Sequence, residues 1–323
     1  MNAAICTLFE GHYHYGVATL SNSLYNCGFR GSIYAGYRGQ LPNWALEGAK
    51  TTIGKWKEAA VLSPIEGIQL IFLPLNTTYS LTNYKPDFML ELWEGPAKGE
   101  EVLFYFDPDI VVKDSWTSFE QWVNCGVALC EDVASPFQEF HPRRVGWRNY
   151  FKNYNIDLKY KNQIYVNGGF VGLLKKDSSF LTLWIQIQKA MAVAIGGLEN
   201  SIFSNQTYDS TILKMEGFTI FDKSDQDALN ATIEAYDGTI SYLGKEGMGF
   251  ESKHITMYHA LGSPKPWRTQ HFRRAFQGRI PRQEDGIYWE NTRSPIAVHS
   301  QWEVEIKKLS IKVAKLIGRF YKI

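Results

Sequence analysis

The pattern of hydrophobic and polar positions in the first third of the chain predicts strands that alternate with helices. Uninterrupted apolar runs predict strands at residues 3–9, 32–36, 68–73 and 101–106. Helical spacing of apolar residues predicts one helix that ends near Cys27 and another whose first turn contains Pro86. Strands that are apolar on both faces and separated by helices are typical of a mainly parallel sheet with helices on both sides. We therefore expect an α/β fold with a mainly parallel central sheet flanked by helices.

The middle of the chain is less regular. Its apolar segments predict strands at residues 122–130 and 163–174 and a helix at residues 180–195. Residues 141–150 are basic and aromatic, which predicts a loop or short helix at the surface. A solvated excursion and an acceptor-binding loop both fit that composition.

The last twenty residues, 304–323, predict a basic amphipathic helix. Helical spacing aligns Ile306, Leu309, Val313, Leu316, Ile317 and Phe320, while Lys307, Lys308, Lys312, Lys315, Arg319 and Lys322 largely occupy the remaining face. Such a helix either lies in an anionic membrane interface or packs its apolar stripe on the rest of the protein. Because no linker interrupts the chain, we expect one domain at residues 1–267 and a C-terminal appendage at residues 268–323.

The bulk composition indicates an ordinary globular protein. The 323 residues are 45% hydrophobic and carry a formal net charge of +1, so the overall charge does not favour nucleic acid as a partner. No run approaches the roughly 20 apolar residues of a spanning helix. We expect a cytoplasmic protein, or a peripheral one at the inner face of the membrane if residues 304–323 bind lipid. Four widely spaced cysteines predict reduced, buried thiols.

The segment from Phe106 to Val112 carries the first candidate chemistry, because an apolar strand runs directly into Asp107-Pro108-Asp109. Residues two apart at a strand end point the same way, so both carboxylates can converge on one point. Two such charges repel unless a cation lies between them, and Mg²⁺ or Mn²⁺ prefers oxygen ligands of this kind. A plain polar turn is the alternative, and the triplet alone does not decide between them.

Three later segments add polar groups that the same site could use. Asn167-Gly168-Gly169 interrupts an apolar stretch, as expected where backbone approaches a ligand closely. Asp225-Gln226-Asp227 opens a helix, and residues 259–267 combine an imidazole, a glycine turn and a lysine. Each segment also has a purely structural interpretation, namely a bulge, a helix cap and a buried histidine.

In this order, the four segments resemble glycosyltransferase family eight and its relatives with the type-A nucleotide-sugar fold. That family ends its fourth strand with Asp-x-Asp, then carries Asn-x-Gly, a helix beginning Asp-Gln-Asp, and a closing His-x-x-Gly-x-x-Lys-Pro-Trp. The resemblance covers roughly residues 3–267. Pro108 replaces the usual Ala, and an insertion is expected near residues 196–208.

The resemblance implies a metal-dependent glycosyltransferase that moves a sugar from a nucleoside diphosphate, with UDP the expected nucleotide, to a glycan or glycolipid acceptor. It implies Asp107, Asp109 and His259 as ligands of Mn²⁺ or Mg²⁺, and Asn167, Asp225 and Gln226 as catalytic groups near the sugar. It assigns donor contacts to Thr7, Phe9, Lys85, Asp107, Gly262 and Lys265. Family members retain anomeric configuration, so we expect retention, although Asp225 could act as the base of an inverting enzyme.

Two other functions fit parts of the sequence. A sugar-phosphate nucleotidylyltransferase uses a similar sheet, but usually has a glycine-rich basic loop after the first strand, where this chain has residues 9–14 with one glycine and no lysine. A non-catalytic carbohydrate-binding protein would use the 15% aromatic content, but would not need Asp107, Asp109, His259 and Lys265.

Overall fold

The computed structural model describes residues 1–201, 214–215 and 218–320, with the side chains of residues 214, 215, 218 and 319 left aside. In chain order the elements are β1 (Ala3–Glu10), α1 (His14–Asn26), β2 (Gly31–Arg38), β3 (Ala49–Ile53), β4 (Trp56–Ile65), β5 (Ile68–Pro74), α2 (Lys85–Glu94), β6 (Val102–Phe106), β7 (Ile110–Val112), α3 (Trp116–Val123), β8 (Val127–Cys130), α4 (Pro142–Lys152), β9 (Phe170–Leu174), α5 (Ser179–Ile195), β10 (Lys214–Met215), β11 (Phe218–Thr219), α6 (Ser224–Ala235), β12 (Ile240–Leu243), β13 (Met257–His259), α7 (His271–Phe276), α8 (Gln283–Glu290) and α9 (Gln301–Phe320).

The large sheet has the order β12-β8-β9-β6-β1-β2-β5-β4-β3. Its centre, β6-β1-β2-β5, is parallel, whereas β9 runs antiparallel between β6 and β8, and β4 and β3 add an antiparallel edge. Strands β13 and β7 form a separate antiparallel pair outside this sheet. Their pairing places His259 opposite Ile110. The predicted α/β class is confirmed, and the central strands end together at the edge that carries Asp107.

Both faces of the sheet are covered because its central strands are apolar on both sides. In β1, Ala4, Cys6 and Leu8 face a core that includes α2, α5 and α6. Their neighbours Ile5 and Phe9 face a second core that includes α1 and α3. Alternation along one strand therefore feeds two cores, as in sheets buried on both faces.

The strand predicted at residues 122–130 is wrong in its first half. Trp116, Phe119 and Val123 are buried at helical spacing, so residues 116–123 form α3, and only residues 127–130 form a strand. Gly126 has a φ of 129°, which suits the break between the two elements.

The strand predicted at residues 163–174 is limited to β9, residues 170–174. In the preceding stretch, Asn230 of α6 replaces a neighbouring strand: its side-chain oxygen accepts from the Val166 N–H at 2.8 Å, and its amide donates to the Val166 carbonyl at 3.0 Å. A side-chain amide thus completes the backbone hydrogen bonds where the chain leaves the ladder.

The basic segment at residues 141–150 lies mostly within α4, and it is not a simple solvated excursion. Arg144 is 3% exposed and pairs with Glu234, while the fully buried Trp147 donates its indole N–H to the Ile220 carbonyl at 2.7 Å. Of the insertion expected near residues 196–208, the last seven lie outside the described residues.

The C-terminal segment packs on the rest of the chain. Val304 and Ile311 of α9 join Trp267, Tyr288 and Trp289 in a third apolar cluster. The side chain of Asn22 in α1 ties the same segment down, because it accepts from the Ile296 N–H and donates to the Ile296 carbonyl, both at 2.8 Å. The boundary at residue 267 stays a prediction.

Helix α9 is confirmed, but its predicted apolar stripe faces away from the protein. Val304, Ile311 and Ala314 are buried, whereas Leu309 and Leu316 are 60% and 54% exposed. Residues 321–323, including Lys322, lie outside the described part of the chain. Among the described helices, none has the length and apolar content needed to cross a membrane.

The cysteines are free, as expected. Cys6 and Cys130 are buried, Cys27 is half-buried, and Cys125 is exposed, so the expectation of burial is wrong for Cys125.

Candidate functional site

The Asp107-Pro108-Asp109 turn lies at the carboxyl end of β6, in the middle of the large sheet. The Asp107 N–H donates to the Gly169 carbonyl at 2.7 Å, and the Ile110 N–H closes the turn on the Asp107 carbonyl at 3.1 Å. The turn thus leads from the large sheet into β7, and β7 pairs with the strand that ends in His259.

Two carboxylates and one imidazole converge at this turn. The His259 Nε2 atom lies 3.3 Å from an Asp109 oxygen and 3.9 Å from an Asp107 oxygen. One ligand atom from each of the three residues lies within 4.8 Å of the others. Asp109 and His259 are 7% and 5% exposed, and Asp107 is more open. Two hard oxygens and one nitrogen suit Mn²⁺ or Mg²⁺, so the residues fit the expected ion.

Lys265 supplies positive charge beside Asp109. Its ammonium contacts an Asp109 oxygen and donates to the Ala260 carbonyl at 2.8 Å. Burial opposes ionisation of Asp109, but His259 and Lys265 outweigh burial and hold the pKa of that carboxyl well below its usual range. Asp109 is therefore fully ionised at neutral pH and ready to bind a cation.

Lys85 is a second, buried cation, positioned by the first turn of α2. With 1% of its side chain exposed, it donates to the Gly168 carbonyl at 2.8 Å and lies 3.1 Å from Asp225 and 3.2 Å from Asp107. Burial lowers the pKa of Lys85, and the two carboxylates reverse this and raise it above the ordinary value. Lys85 therefore joins the turn to the start of α6.

Tyr105 fixes the same Asp107 oxygen, Oδ1, that Lys85 contacts most closely. Its hydroxyl donates to Asp107 Oδ1 at 2.7 Å from a position two residues earlier, in β6. Burial, reinforced by the Asp107 charge, raises the pKa of Tyr105 well above its ordinary value, so the phenol remains a hydrogen-bond donor. Tyr105 was not predicted as a site residue, although it lies only two residues before Asp107.

The three predicted sugar-binding residues lie around the same backbone. The Asn167 amide donates to the buried carboxylate of Asp132 at 2.6 Å, and its oxygen accepts from the Gly169 N–H at 2.8 Å. Gln226 accepts from the Gly168 N–H at 3.2 Å, while its own Nε2 is buried without a partner among the described residues. A buried donor of this kind is available to a ligand oxygen. Asp132 was missed by the sequence analysis.

Two glycines let backbone pack directly against Asp107, Asp109 and His259, the candidate metal-ligand group. A Cβ on Gly169 would lie 2.5 Å from the His259 ring, and a Cβ on Gly16 of α1 would lie 2.1 Å from the Pro108 carbonyl oxygen. Neither distance is tolerated by van der Waals radii, so these positions require glycine. The His259 Nδ1 atom has no hydrogen-bond partner in the described part of the chain, so packing on Gly169 sets the orientation of the ring.

The predicted donor contacts farther from the turn are more dispersed. Thr7 is fully buried at the carboxyl half of β1, with its hydroxyl unpartnered among the described residues. Phe9 is 3% exposed and packs on Tyr37 and Phe72. Gly262 is exposed with a φ of 70°, in the loop that leads to Lys265. The roles of these residues stay predictions.

Tyr13 offers an aromatic ring that the sequence analysis missed. It is half-buried, and the Lys265 ammonium lies 5.9 Å from its ring centre. Burial, together with the Asp109 and Asp107 charges, raises the pKa of Tyr13 to about 12. The ring therefore lies next to the carboxylates at the rim of the site.

Comparison with known proteins identifies the fold. The apo structure of WbbM, a bifunctional glycosyltransferase, matches 95% of this chain with a TM-score of 0.54 and 14% identity. An active-site mutant of LgtC matches 94% of this chain and 99% of its own, with a TM-score of 0.51 and 16% identity. The chain has a glycosyltransferase fold. It spans about half of the WbbM chain, 52%. No family model matches the sequence, and no curated protein does.

Within this glycosyltransferase fold, the residues predicted from separate segments come together. Asp107, Asp109, His259 and Lys265 form one group. Lys85 connects that group to Asp225, and the glycine backbone connects it to Asn167 and Gln226. The site is thus a continuous polar cluster at the end of the central strands, where ligands bind in open α/β sheets.

Proposed function

We propose that the protein is a metal-dependent glycosyltransferase that moves a sugar from a nucleoside diphosphate, expected to be UDP, to a glycan or glycolipid acceptor. The observation that carries the proposal is the convergence of Asp107, Asp109 and His259 beside Lys265 at the end of the central strands. A divalent cation and an ammonium can together bind the negative charges of a diphosphate.

In this mechanism, Asp107, Asp109 and His259 would hold Mn²⁺ or Mg²⁺, and the bound ion would supply Lewis-acid stabilisation of the departing diphosphate. Lys265 adds a counter-charge on the same side. The exposed backbone around Gly262 can approach phosphate oxygens closely, because no side chain lies over it. These groups would stabilise the negative charge that develops on the departing diphosphate more than they stabilise the intact donor. Such a difference is the condition for lowering the barrier.

On the sugar side, Asn167 and Gln226 offer amide groups that their own neighbours hold in place. Asp225 offers a carboxylate that faces a developing cationic sugar carbon. Because Lys85 lies 3.1 Å from an Asp225 oxygen, the carboxylate is held in one orientation. We propose retention of configuration, in keeping with the resemblance to glycosyltransferase family eight.

A product assay tests this proposal. Nucleotide sugars are first screened for thermal stabilisation with and without Mn²⁺, since a ligand that binds only the folded state raises its stability. The stabilising donor is then turned over. Release of UDP supports glycosyl transfer, whereas pyrophosphate would indicate a nucleotidylyltransferase, and binding of sugar without metal or nucleotide would indicate a carbohydrate-binding protein. An NMR time course that shows a product anomer opposite to the donor would overturn retention and make Asp225 the general base.

We also propose that the enzyme works at an anionic membrane surface on the cytoplasmic side. The outer stripe of α9 supports this, because Leu309, Leu316 and Phe320 are exposed while other residues of the helix pack inward. Helix α7 contacts α9 and adds exposed Phe272 and Phe276 to the same region.

Charge on the same helix supports an anionic surface as the partner. Lys312 and Lys315 are exposed between the outer stripe and the packed side of α9, whereas Lys307 is tied to the protein through the Thr269 carbonyl at 3.1 Å. Each free basic residue near an anionic leaflet adds about 1 kcal/mol. Apolar side chains flanked by lysines are typical of interfacial helices.

Vesicle sedimentation tests the membrane proposal. The full-length protein should bind phosphatidylserine vesicles at low salt, and Leu309→Glu with Leu316→Glu should weaken binding by about tenfold or more. Val193→Glu is the matched control, because Val193 is an exposed aliphatic residue on α5, 65% exposed. Indifference of the wild type to anionic vesicles would overturn the proposal, as would a stable dimer that the two α9 substitutions dissociate.

A further inference from the structure

A residue between α7 and α8, Arg282, makes hydrogen bonds to the loop that carries Gly262 and Lys265. The guanidinium of Arg282 donates to the Leu261 carbonyl at 2.6 Å and to the Pro264 carbonyl at 3.2 Å. These two acceptors lie on either side of Gly262. A single side chain therefore joins both halves of the loop.

Arg282 is itself held by Asp285 in the first turn of α8. One guanidinium nitrogen of Arg282 donates to Asp285 Oδ1 at 2.9 Å. The backbone N–H of Arg282 donates to Asp285 Oδ2 at 3.2 Å. Asp285 is 2% exposed. A charged pair with one buried member and several hydrogen bonds has a fixed geometry, so the loop is attached to a rigid support.

The next residue, Gln283, contacts the strand that ends in His259. The Gln283 amide donates to the Tyr258 hydroxyl at 2.8 Å. Tyr258 lies in β13, directly before His259. The start of α8 therefore contacts the chain just before His259 and again at Leu261 and Pro264.

We propose that Arg282 is a positioning residue of the donor site, so that the segment after residue 267 forms part of that site. The inference rests on the proposed function, because the loop is taken to bind the donor diphosphate. A loop held in its binding conformation pays less ordering entropy when the ligand arrives. Loss of Arg282 should therefore weaken diphosphate binding more than it slows the chemical step, and leave the metal ligands intact.

The test compares UDP affinity, Mn²⁺ affinity and kinetics in the full-length protein. Arg282→Met should raise the Kd for UDP at saturating Mn²⁺ by about tenfold or more and raise KM for the donor in parallel. The Kd for Mn²⁺ alone and kcat should change by less than about twofold, and Arg282→Lys should recover part of the UDP affinity. Arg293→Met is the matched control, because Arg293 pairs with Glu305 in the same segment, with both side chains exposed.

A second variant separates positioning from folding. Arg282→Met leaves Asp285 buried without its partner, which itself destabilises a protein. The double variant Arg282→Met with Asp285→Leu removes both charges and should show the same loss of UDP affinity. Wild-type UDP affinity in both the single and the double variant would overturn the inference.

Failure of the proposed function is distinguishable from failure of this inference. If the wild type binds no UDP with Mn²⁺, the proposed function fails, and the role of Arg282 is then tested by hydrogen exchange of the backbone amides of residues 260–263 and 265. Faster exchange of these amides in Arg282→Lys than in the wild type supports the positioning role. Unchanged exchange in that variant contradicts it.

Discussion

The metal-ligand group and the outer stripe of α9 depart in opposite ways from a general rule of folded proteins. Most folded proteins bury apolar side chains and expose charged ones. Around Asp109 and Lys85, charged groups are buried and satisfied mainly by one another. On α9, Leu309 and Leu316 are exposed, and no apolar partner covers them within the described part of the chain. A group of buried carboxylates favours a cation, and an exposed apolar patch marks a site for an apolar partner. Each region therefore indicates the kind of ligand that it can take.

The two regions also differ in how they respond to change. In the metal-ligand group each side chain has several partners, so a single substitution leaves other charges uncompensated. On the outer stripe of α9 the side chains are exposed, so a substitution there removes few contacts from the folded protein. Substitutions in the metal-ligand group should therefore lower the free energy of unfolding more than substitutions on the outer stripe of α9.

The largest expected effect is that of Lys85→Met. Removing this ammonium leaves Asp107 and Asp225 facing each other without their shared partner, which should lower the free energy of unfolding by about 4 kcal/mol. Added Mn²⁺ should restore part of the loss. Urea unfolding with and without Mn²⁺ checks this, with Lys55→Met as the control, because the Lys55 side chain is 55% exposed. Equal stability of wild type and Lys85→Met would contradict the account of the buried pair.

Next in size is Asp109→Asn, which keeps the shape of the side chain and removes its charge. Because partners beyond the ligands already change metal affinity by roughly 10- to 100-fold, loss of a ligand charge should raise the Kd for Mn²⁺ by more than about a hundredfold. Calorimetric titration measures it. Asp157→Asn, an exposed carboxylate elsewhere, should bind like the wild type, and an equal loss in both variants would point to overall charge instead of a site.

A third experiment compares the two faces of α9. Ile311→Ala removes a buried side chain and should cost about 2 kcal/mol of unfolding free energy, whereas Leu309→Ala at the exposed face should cost less than about 0.5 kcal/mol. Thermal and urea unfolding of both variants give the comparison. Equal destabilisation by the two substitutions would show that the outer stripe already has a partner.

The smallest expected effect is that of Gly169→Ala on metal binding. The added Cβ displaces the His259 ring, so the Kd for Mn²⁺ should rise about tenfold. In a His259→Ala background the same change should have no further effect, because the displaced ring is absent. Additive losses in the double variant would show that Gly169 acts on the turn and not on His259. Gly286→Ala in α8, where a Cβ meets open space, is the control.

Much of the α/β frame could be predicted because it depends on long apolar runs. Strands β1, β2, β5 and β6 and helix α5 are uninterrupted or strongly periodic, so the sequence analysis placed them within a few residues. The β3–β4 hairpin was missed since β3 is almost entirely exposed and lacks an apolar face. Helix α3 was missed because its three buried residues at helical spacing run into a short apolar strand.

The candidate site was predictable as a set of residues but not as a geometry. Asp107, Asp109 and His259 stand out as charged or imidazole groups at strand ends. Tyr105 and Asp132 do not, because Tyr105 lies within an apolar strand run and the partner of Asp132 is 35 residues away in the sequence. The direction of the α9 stripe was also open, since helical spacing defines an apolar face without saying whether another element covers it.

The most direct test of the central claim is a titration of UDP into the wild-type protein with Mn²⁺ and with a chelator. If Asp107, Asp109 and His259 hold a cation for a nucleoside diphosphate, UDP should bind with Mn²⁺ and lose at least about a hundredfold in affinity with the chelator. Equal UDP affinity under both conditions would contradict a metal-bridged diphosphate site, and with it the proposed mechanism.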